Sequence, residues 1–183
     1  MLDRIKNMPH SLVKKLDGVE NLAVYVVEDF NLKLLKNMVE FGLDVFGEDM
    51  SADEWSLVPQ IRHGNVYVVT EIGKHQVVGL AMFMRDWEDI YKAYLFDYAV
   101  DEEYQGMGIG FEFLKIISQD LKNQGFKRVC LTVDGDNKPA MRLYRDKIGF
   151  ESIEFAKDEY GKGHDRYIME LDIEEFLEEN ASD

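Results

Sequence analysis

Three glycines, at 106, 108 and 110, stand where a run of β-formers gives way to a helical pattern. The run is Tyr94-Leu-Phe-Asp-Tyr-Ala-Val100, and beyond the glycines Ile109, Phe113, Ile116, Ile117 and Leu121 recur at helical spacing. Strand, glycine loop and helix start, in this order, gather free backbone N–H groups and the positive end of a helix dipole at one point. With no Cβ atoms in the way, a ligand can approach those amides closely. The expected chemistry is anion binding by backbone, with a phosphate or pyrophosphate as occupant. A nucleoside-triphosphate loop would need Gly-Lys-Ser/Thr, but Gly110 is followed by Phe111. A dinucleotide fingerprint misses its third glycine at Phe111, and Asp101 to Gln105 separate the glycines from the strand, although Asp134 could act as its acidic ribose partner.

The elements around this loop follow from pattern. Residues 1–21 carry Leu2, Ile5, Leu12, Val13 and Leu16 among lysines and read as a short amphipathic helical arm. Leu22–Val27 is a strand, and Asn31–Phe46 a helix stopped near Gly47. Ser51-Ala-Asp-Glu54 has the spacing of a capping box, which predicts a second helix from there to about Arg62. Val66–Glu71 and Gln76–Met84 form a hairpin, and the strand ending at Val100 follows. After the glycine-loop helix come a strand at Arg128–Val133, a helix from Asn137 to Ile148 stopped by Gly149, and a last hairpin of Phe150–Phe155 and Arg166–Leu171. Residues 173–183 read as an acidic, fraying tail. Without repeats or linkers, one mixed α/β domain over 22–172 is expected.

A second block, Asn137-Lys-Pro-Ala140-Met-Arg-Leu143-Tyr144-Arg-Asp-Lys-Ile-Gly149-Phe150, lies one helix and one strand beyond the glycines. Gln105-Gly-Met-Gly108-Ile-Gly110 matches Gln/Arg-x-x-Gly-x-Gly/Ala, the acyl-CoA pyrophosphate loop of the GCN5-related N-acetyltransferases. The second block matches the same superfamily's Asn-x-x-Ala-x-x-Phe/Leu-Tyr-x-x-x-Gly-Phe, with one extra residue before the glycine. The chain therefore resembles that superfamily over about residues 22–171. The resemblance implies a GNAT-like α/β fold: a mixed, mostly antiparallel central sheet flanked by helices in a single domain.

It also implies roles. Acetyl-CoA would be the acyl-donor co-substrate, with the backbone of Tyr98, Ala99 and Val100 pairing with its pantetheine arm. Amides of Gln105, Gly106, Met107, Gly108, Ile109 and Gly110 would hold the pyrophosphate, Asn137 and Ala140 would line the channel, and Tyr144 would protonate the leaving thiolate. Members resembling diamine acetyltransferases carry two adjacent acids before the loop; here Phe96 replaces the first and Asp97 remains. Asp97 is the candidate base, alongside a water relay, and its alternative reading is a structural buried carboxylate. Glu28 and Asp29, at the end of the first strand, are candidate acceptor-site acids. Gly161, Gly163 and His164 could border the acceptor mouth, and Lys138, Arg142 and Arg145 could meet the CoA 3′-phosphate.

Composition narrows the partners. The 183 residues carry a net charge of −15, which disfavours nucleic acid and anionic membranes and favours a cationic small-molecule amine. Segment 111–150 runs against this trend, with eight Lys/Arg to five acids, so the polyphosphate half is locally basic. The single Cys130 sits in an apolar run and points to a reducing, cytoplasmic compartment rather than to a nucleophile. Four scattered histidines lack ligand spacing, so no metal is expected, and no G-x-S-x-G elbow supports a serine hydrolase. Dimers are frequent among proteins of this resemblance, so a homodimer is a further expectation. The expected activity is acetyl transfer to a polyamine, diamino acid or aminoglycoside, with a protein or peptide amine, or a silent acyl-CoA sensor, as alternatives.

Overall fold

A computed structural model describes residues 10–16, 21–28, 32–48, 51–72 and 76–181. Eight strands form one sheet: β1 (His10–Lys15), β2 (Leu22–Val27), β3 (Asn65–Glu71), β4 (Val77–Arg85), β5 (Lys92–Val100), β6 (Arg128–Val133), β7 (Glu151–Ala156) and β8 (Arg166–Asp172). The order is β1-β2-β3-β4-β5-β6-β8-β7, and among the registered pairs only β5 with β6 is parallel. The helices are α1 (Leu32–Phe46), α2 (Glu54–His63), α3 (Ile109–Asn123), α4 (Lys138–Met141) running on into a π-helix at Arg142–Ile148, and α5 (Ile173–Glu179). By packing, the chain divides into Met1–Met84 with Phe96–Ile116, and Arg85–Leu95 with Ile117–Asp183.

In the first unit, α1 turns Leu34, Leu35, Met38 and Phe41 inward at helical spacing, and α2 adds Leu57 and Ile61. They cluster with Val66, Val68, Val77, Leu80, Met82 and Ala99 from the strands. β3 is buried on both faces, which is why it reads as a continuous apolar run rather than an alternating one. The α2 cap differs from the capping-box expectation. Asp53, not Ser51, caps the helix, its Oδ1 accepting from the Ser56 N–H at 2.9 Å and the Ser56 hydroxyl at 2.8 Å. In Ser-Ala-Asp-Glu both oxygens were available, and the one adjacent to the first helical residue prevailed.

The helical arm is corrected to a strand over His10–Lys15, while residues 1–9 and 17–20 lie outside the described residues. β1 lies antiparallel on β2, with its register shifting between Leu12 and Lys14. A bulge breaks the period-two alternation, so Leu12, Val13 and Leu16 acquire a spacing that imitates a helix. Leu16 is buried, and its N–H reaches the Leu22 carbonyl at 3.1 Å.

In the second unit, the turn before β5 is fixed by Asp86, whose carboxylate takes the Glu88 and Asp89 N–H groups at 2.8 and 2.9 Å and pairs with Lys92 at 3.0 Å. Asp89 pairs in turn with Arg128, the residue registered against Lys92. This network holds the start of the parallel β5–β6 pair.

The fraying tail is also corrected. Asp172 caps α5 by accepting from the Glu174 and Glu175 N–H groups at 2.9 and 3.1 Å, and Ile173 and Phe176 are buried. The acids that made this segment look solvated stand in its first turn, where the helix dipole favours them. Phe176→Ala should therefore cost about 3–5 kcal/mol, read as a shift of the urea midpoint. A cost within about 0.5 kcal/mol would mean that the segment frays after all.

Candidate active site

The glycine loop begins where β5 ends. Asp101 sends its N–H to the Val78 carbonyl at 3.0 Å and caps a 3-10 turn, Glu102–Tyr104, its carboxylate taking the Glu103 N–H at 2.9 Å. Gln105 folds its side chain back, Nε2 donating to the Val100 carbonyl at 3.0 Å, and so ties the loop to the strand. Gly106 and Gly108 have φ of +78° and +82°, and a Cβ built on either meets no atom within 4 Å. Left-handed backbone with open space outside it therefore leads into the N-terminus of α3, where side chains would otherwise crowd the approach to the backbone. Tyr98 fastens the other side: its hydroxyl donates to the Gly110 carbonyl and its ring stacks on Phe113, centroids 5.4 Å apart. Ala99 and Val100 are buried, while Met107 stands exposed.

Asp97 lies among these residues in the first unit. Burial pushes its carboxyl up to about 6, against a smaller opposing effect of the Tyr98 backbone hydrogen bond. Its neighbour Phe96, in place of a second acid, is exposed. Glu28 is exposed just past β2, and Asp29 falls outside the described residues. The same unit holds a cleft of about 750 Å³ whose rim sets Lys33 against Glu40, Asp44, Asp101, Glu102 and Glu103.

Asn137, Ala140 and Tyr144 lie in the second unit. Asn137 caps α4, its Oδ1 accepting from the Ala140 N–H at 3.1 Å, so these two residues form one hydrogen-bonded corner. Tyr144 is buried, with its ring against Phe150 at 5.6 Å. The extra residue before Gly149 has a structural outlet: Arg142–Ile148 is wound as a π-helix, and the Tyr144 carbonyl accepts from both Gly149 and Phe150 N–H groups, at 3.0 and 2.9 Å. Gly149 ends it at φ +94°, as the left-handed stop requires. Lys138 is engaged by the Gly135 carbonyl at 2.7 Å and Arg145 by Asp146 at 2.7 Å, and the positive charge of Arg142 also bears on the Asp146 carboxylate. Cys130 is buried, and burial raises its thiol to about 11, which makes it a poor nucleophile.

One constellation is absent from the sequence reading. The hydroxyls of Tyr94, Thr132 and Tyr160 meet at 3.0–3.2 Å, Tyr160 coming from the last hairpin turn with Gly161, Gly163 and His164. Tyrosine and threonine in strands read simply as β-formers, and no local signal joins residues this far apart.

Each motif is thus folded as a local structure of its own, a glycine turn before α3 and an Asn-capped turn leading into the π-helix. The sequence model of the acetyltransferase (GNAT) family matches residues 34–150. The chain belongs to this family. It is an N-acetyltransferase by that membership, and acetyl-CoA is the acyl donor of GNAT enzymes. A mycothiol acetyltransferase of Saccharomonospora viridis is 42% identical over 55 residues, 30% of this chain and only 18% of that protein. A ribosomal protein bS18-alanine N-acetyltransferase of Escherichia coli K12 is 29% identical over 111 residues, 58% of this chain and 70% of the relative. In fold, a GNAT acetyltransferase of Elizabethkingia anophelis solved with acetyl-CoA bound aligns with a TM-score of 0.62 at 15% identity, covering 84% of this chain and 99% of that one. Among the described residues no three His, Cys, Asp or Glu side chains are grouped to hold a metal, and no helix is long and apolar enough to cross a membrane.

Proposed function

We propose that this GNAT protein transfers an acetyl group from acetyl-CoA to a primary amine by direct attack, without an acyl-enzyme. The observation that carries the reading is the joint presence of an open glycine cradle on α3 and a buried Tyr144 on the block that begins with the Asn137 cap. Thioester aminolysis makes three demands. The amine must lose its proton, fixed donors must face the developing oxyanion, and the thiolate must be protonated as it leaves. Bound acetyl-CoA supplies the activated acyl group and a thiolate leaving group. Amides from Gln105 to Gly110 hold its pyrophosphate, the backbone of Tyr98, Ala99 and Val100 orients its arm, and Asn137 with Ala140 lines its channel. Tyr144 donates the proton. Asp97, with its carboxyl at about 6, is ionised at pH 7.5 and takes the proton that the amine nitrogen sheds as its bond to the acetyl carbon forms.

The acceptor in this reading is a small cationic metabolite: a polyamine, a diamino acid or an aminoglycoside. Its support is the net charge of −15 and the carboxylate-rimmed cleft of the first unit; Glu28 and Asp29 would add charge on the acceptor side. A second reading, transfer to the α-amine of a protein, is favoured by the likeness to the bS18-alanine enzyme. The work would fall in the cytoplasm, where acetyl-CoA is at hand, by one chain or by a homodimer. The test is CoA-thiol release from acetyl-CoA against spermidine, lysine, kanamycin and an alanine-initiated peptide. Turnover with the cations supports the first reading, and turnover with the peptide alone replaces it by the second. Acetyl-CoA binding with no turnover on any of them would leave a binding module and sink the catalytic assignment.

A further inference from the structure

The turn from β4 into β5 holds its apolar side chains outward. Trp87 is 98% exposed, and Ile90 and Tyr91 beside it are exposed as well. The backbone beneath them is fixed at each step. Asp86 takes the Glu88 and Asp89 N–H groups, and Asp89 takes the Tyr91 N–H at 3.0 Å. The Tyr91 carbonyl accepts from the Lys127 and Arg128 N–H groups at 2.7 and 3.2 Å, and the Lys127 ammonium lies 5.0 Å from the centre of the Tyr91 ring. Apolar residues scattered singly over a surface need no explanation. Three together on a turn held this firmly are already ordered for binding, and tryptophan is the residue that most often anchors a protein interface.

Arg128 joins this turn to a groove. Its guanidinium pairs with Asp89 on one side and with Glu170 at 3.4 Å on the other. The groove encloses about 430 Å³, and five carboxylates, of Glu151, Glu170, Asp172, Glu175 and Glu179, line it against that one guanidinium. β7 and β8 set Glu151 directly opposite Glu170, a like-charge pair that destabilises its own sheet. Asp172, Glu175 and Glu179 follow at helical spacing along α5, which is held down by the buried Phe176. Cations brought from outside would relieve this repulsion.

Charge selects the occupant. A second copy would set one acidic groove against another across a two-fold interface, and an anionic membrane or nucleic acid would meet the same repulsion. A protein segment with lysines or arginines beside apolar side chains matches both halves of the surface. We propose that the Trp87 turn and the groove next to it form a docking surface for a partner protein bearing a basic, amphipathic segment. The apolar residues of that segment cover Trp87 and Ile90, and its cations enter among the five carboxylates. The surface belongs to the second unit alone and asks nothing of the acetyl-transfer reading.

The test uses the intact protein, whose two tryptophans are Trp55 and Trp87. Trp55 is exposed, so Trp55→Phe keeps the core and leaves Trp87 as the single indole reporter. A peptide of alternating lysine and leucine should shift the Trp87 emission to the blue as the indole leaves water. A glutamate–leucine peptide and phosphatidylglycerol vesicles should leave the emission unchanged. In calorimetry, Trp87→Ala and the pair Glu175→Gln with Glu179→Gln should each weaken the lysine–leucine peptide about tenfold, with acetyl-CoA affinity unchanged. All three side chains are exposed, so these variants keep the fold. No shift with the lysine–leucine peptide, an equal shift with the glutamate–leucine peptide, or unchanged peptide affinity in both variants would overturn the assignment. A shift with the vesicles would replace it by a membrane surface, and a shift that grows with protein concentration alone would replace it by an interface between copies.

Discussion

Tyr144→Phe is expected to lower kcat by about 10²–10³-fold near neutral pH while leaving acetyl-CoA affinity within about twofold. The substitution removes one oxygen and keeps the ring, so the T-shaped packing on Phe150 survives, and with it most of the stability. The backbone of the site is equally insulated. It is the Tyr144 carbonyl, not the side chain, that accepts from Gly149 and Phe150 and closes the π-helix. A drop in kcat therefore reports the missing proton rather than a collapsed site. Wild-type-like kcat in this variant would remove Tyr144 from the reaction and pass the leaving-group proton to water.

Much of this arrangement was legible because it is local. The glycine loop, the Arg128–Val133 strand and the Asn137 cap each fall within a dozen residues, and their signals are matters of backbone geometry that side-chain types reveal directly. The extra residue between Tyr144 and Gly149 was visible as a spacing anomaly, and the π-helix is its physical resolution, since its wider hydrogen-bonded loop takes in one more residue. Non-local features were misread. β1 carries helix-like spacing because a bulge interrupts it, and only its pairing with β2 reveals the strand. α5 hid behind its own acids, since charge density argues for solvation until the cap and the two buried anchors are placed. The hydroxyl ring was invisible for the same reason: its three members contribute nothing to one another until the chain has folded. The parallel β5–β6 pairing likewise depends on where α3 returns the chain, a tertiary fact with no residue of its own.

Asp97→Asn should separate stability from catalysis in opposite directions. The Asp97 carboxyl titrates at about 6 in the folded protein, above its ordinary 3.8, so the folded state binds that proton more tightly than the unfolded chain does. Stability conferred by the protonated form is complete below about pH 4 and is lost as pH rises through about 6; above that, the buried carboxylate is a standing cost. Asparagine keeps the shape and can still accept from the Tyr98 N–H, yet never ionises. At pH 8 the variant should therefore be more stable than wild type by roughly 1–3 kcal/mol, an advantage that fades toward zero near pH 4. Activity moves the other way. With the base gone, kcat/KM at pH 7.5 should fall by about 10²–10³-fold, and the acid limb near pH 6 should vanish. Urea melts at pH 4 and pH 8 together with a pH–rate profile decide the matter. A stabilised variant that keeps full activity and its acid limb would show that Asp97 is only a buried burden, and would leave the ammonium proton to a water relay. A stabilised variant that has lost both would show that the protein retains a destabilising carboxylate because the chemistry requires it, which is the trade expected where a fold tolerates strain for function.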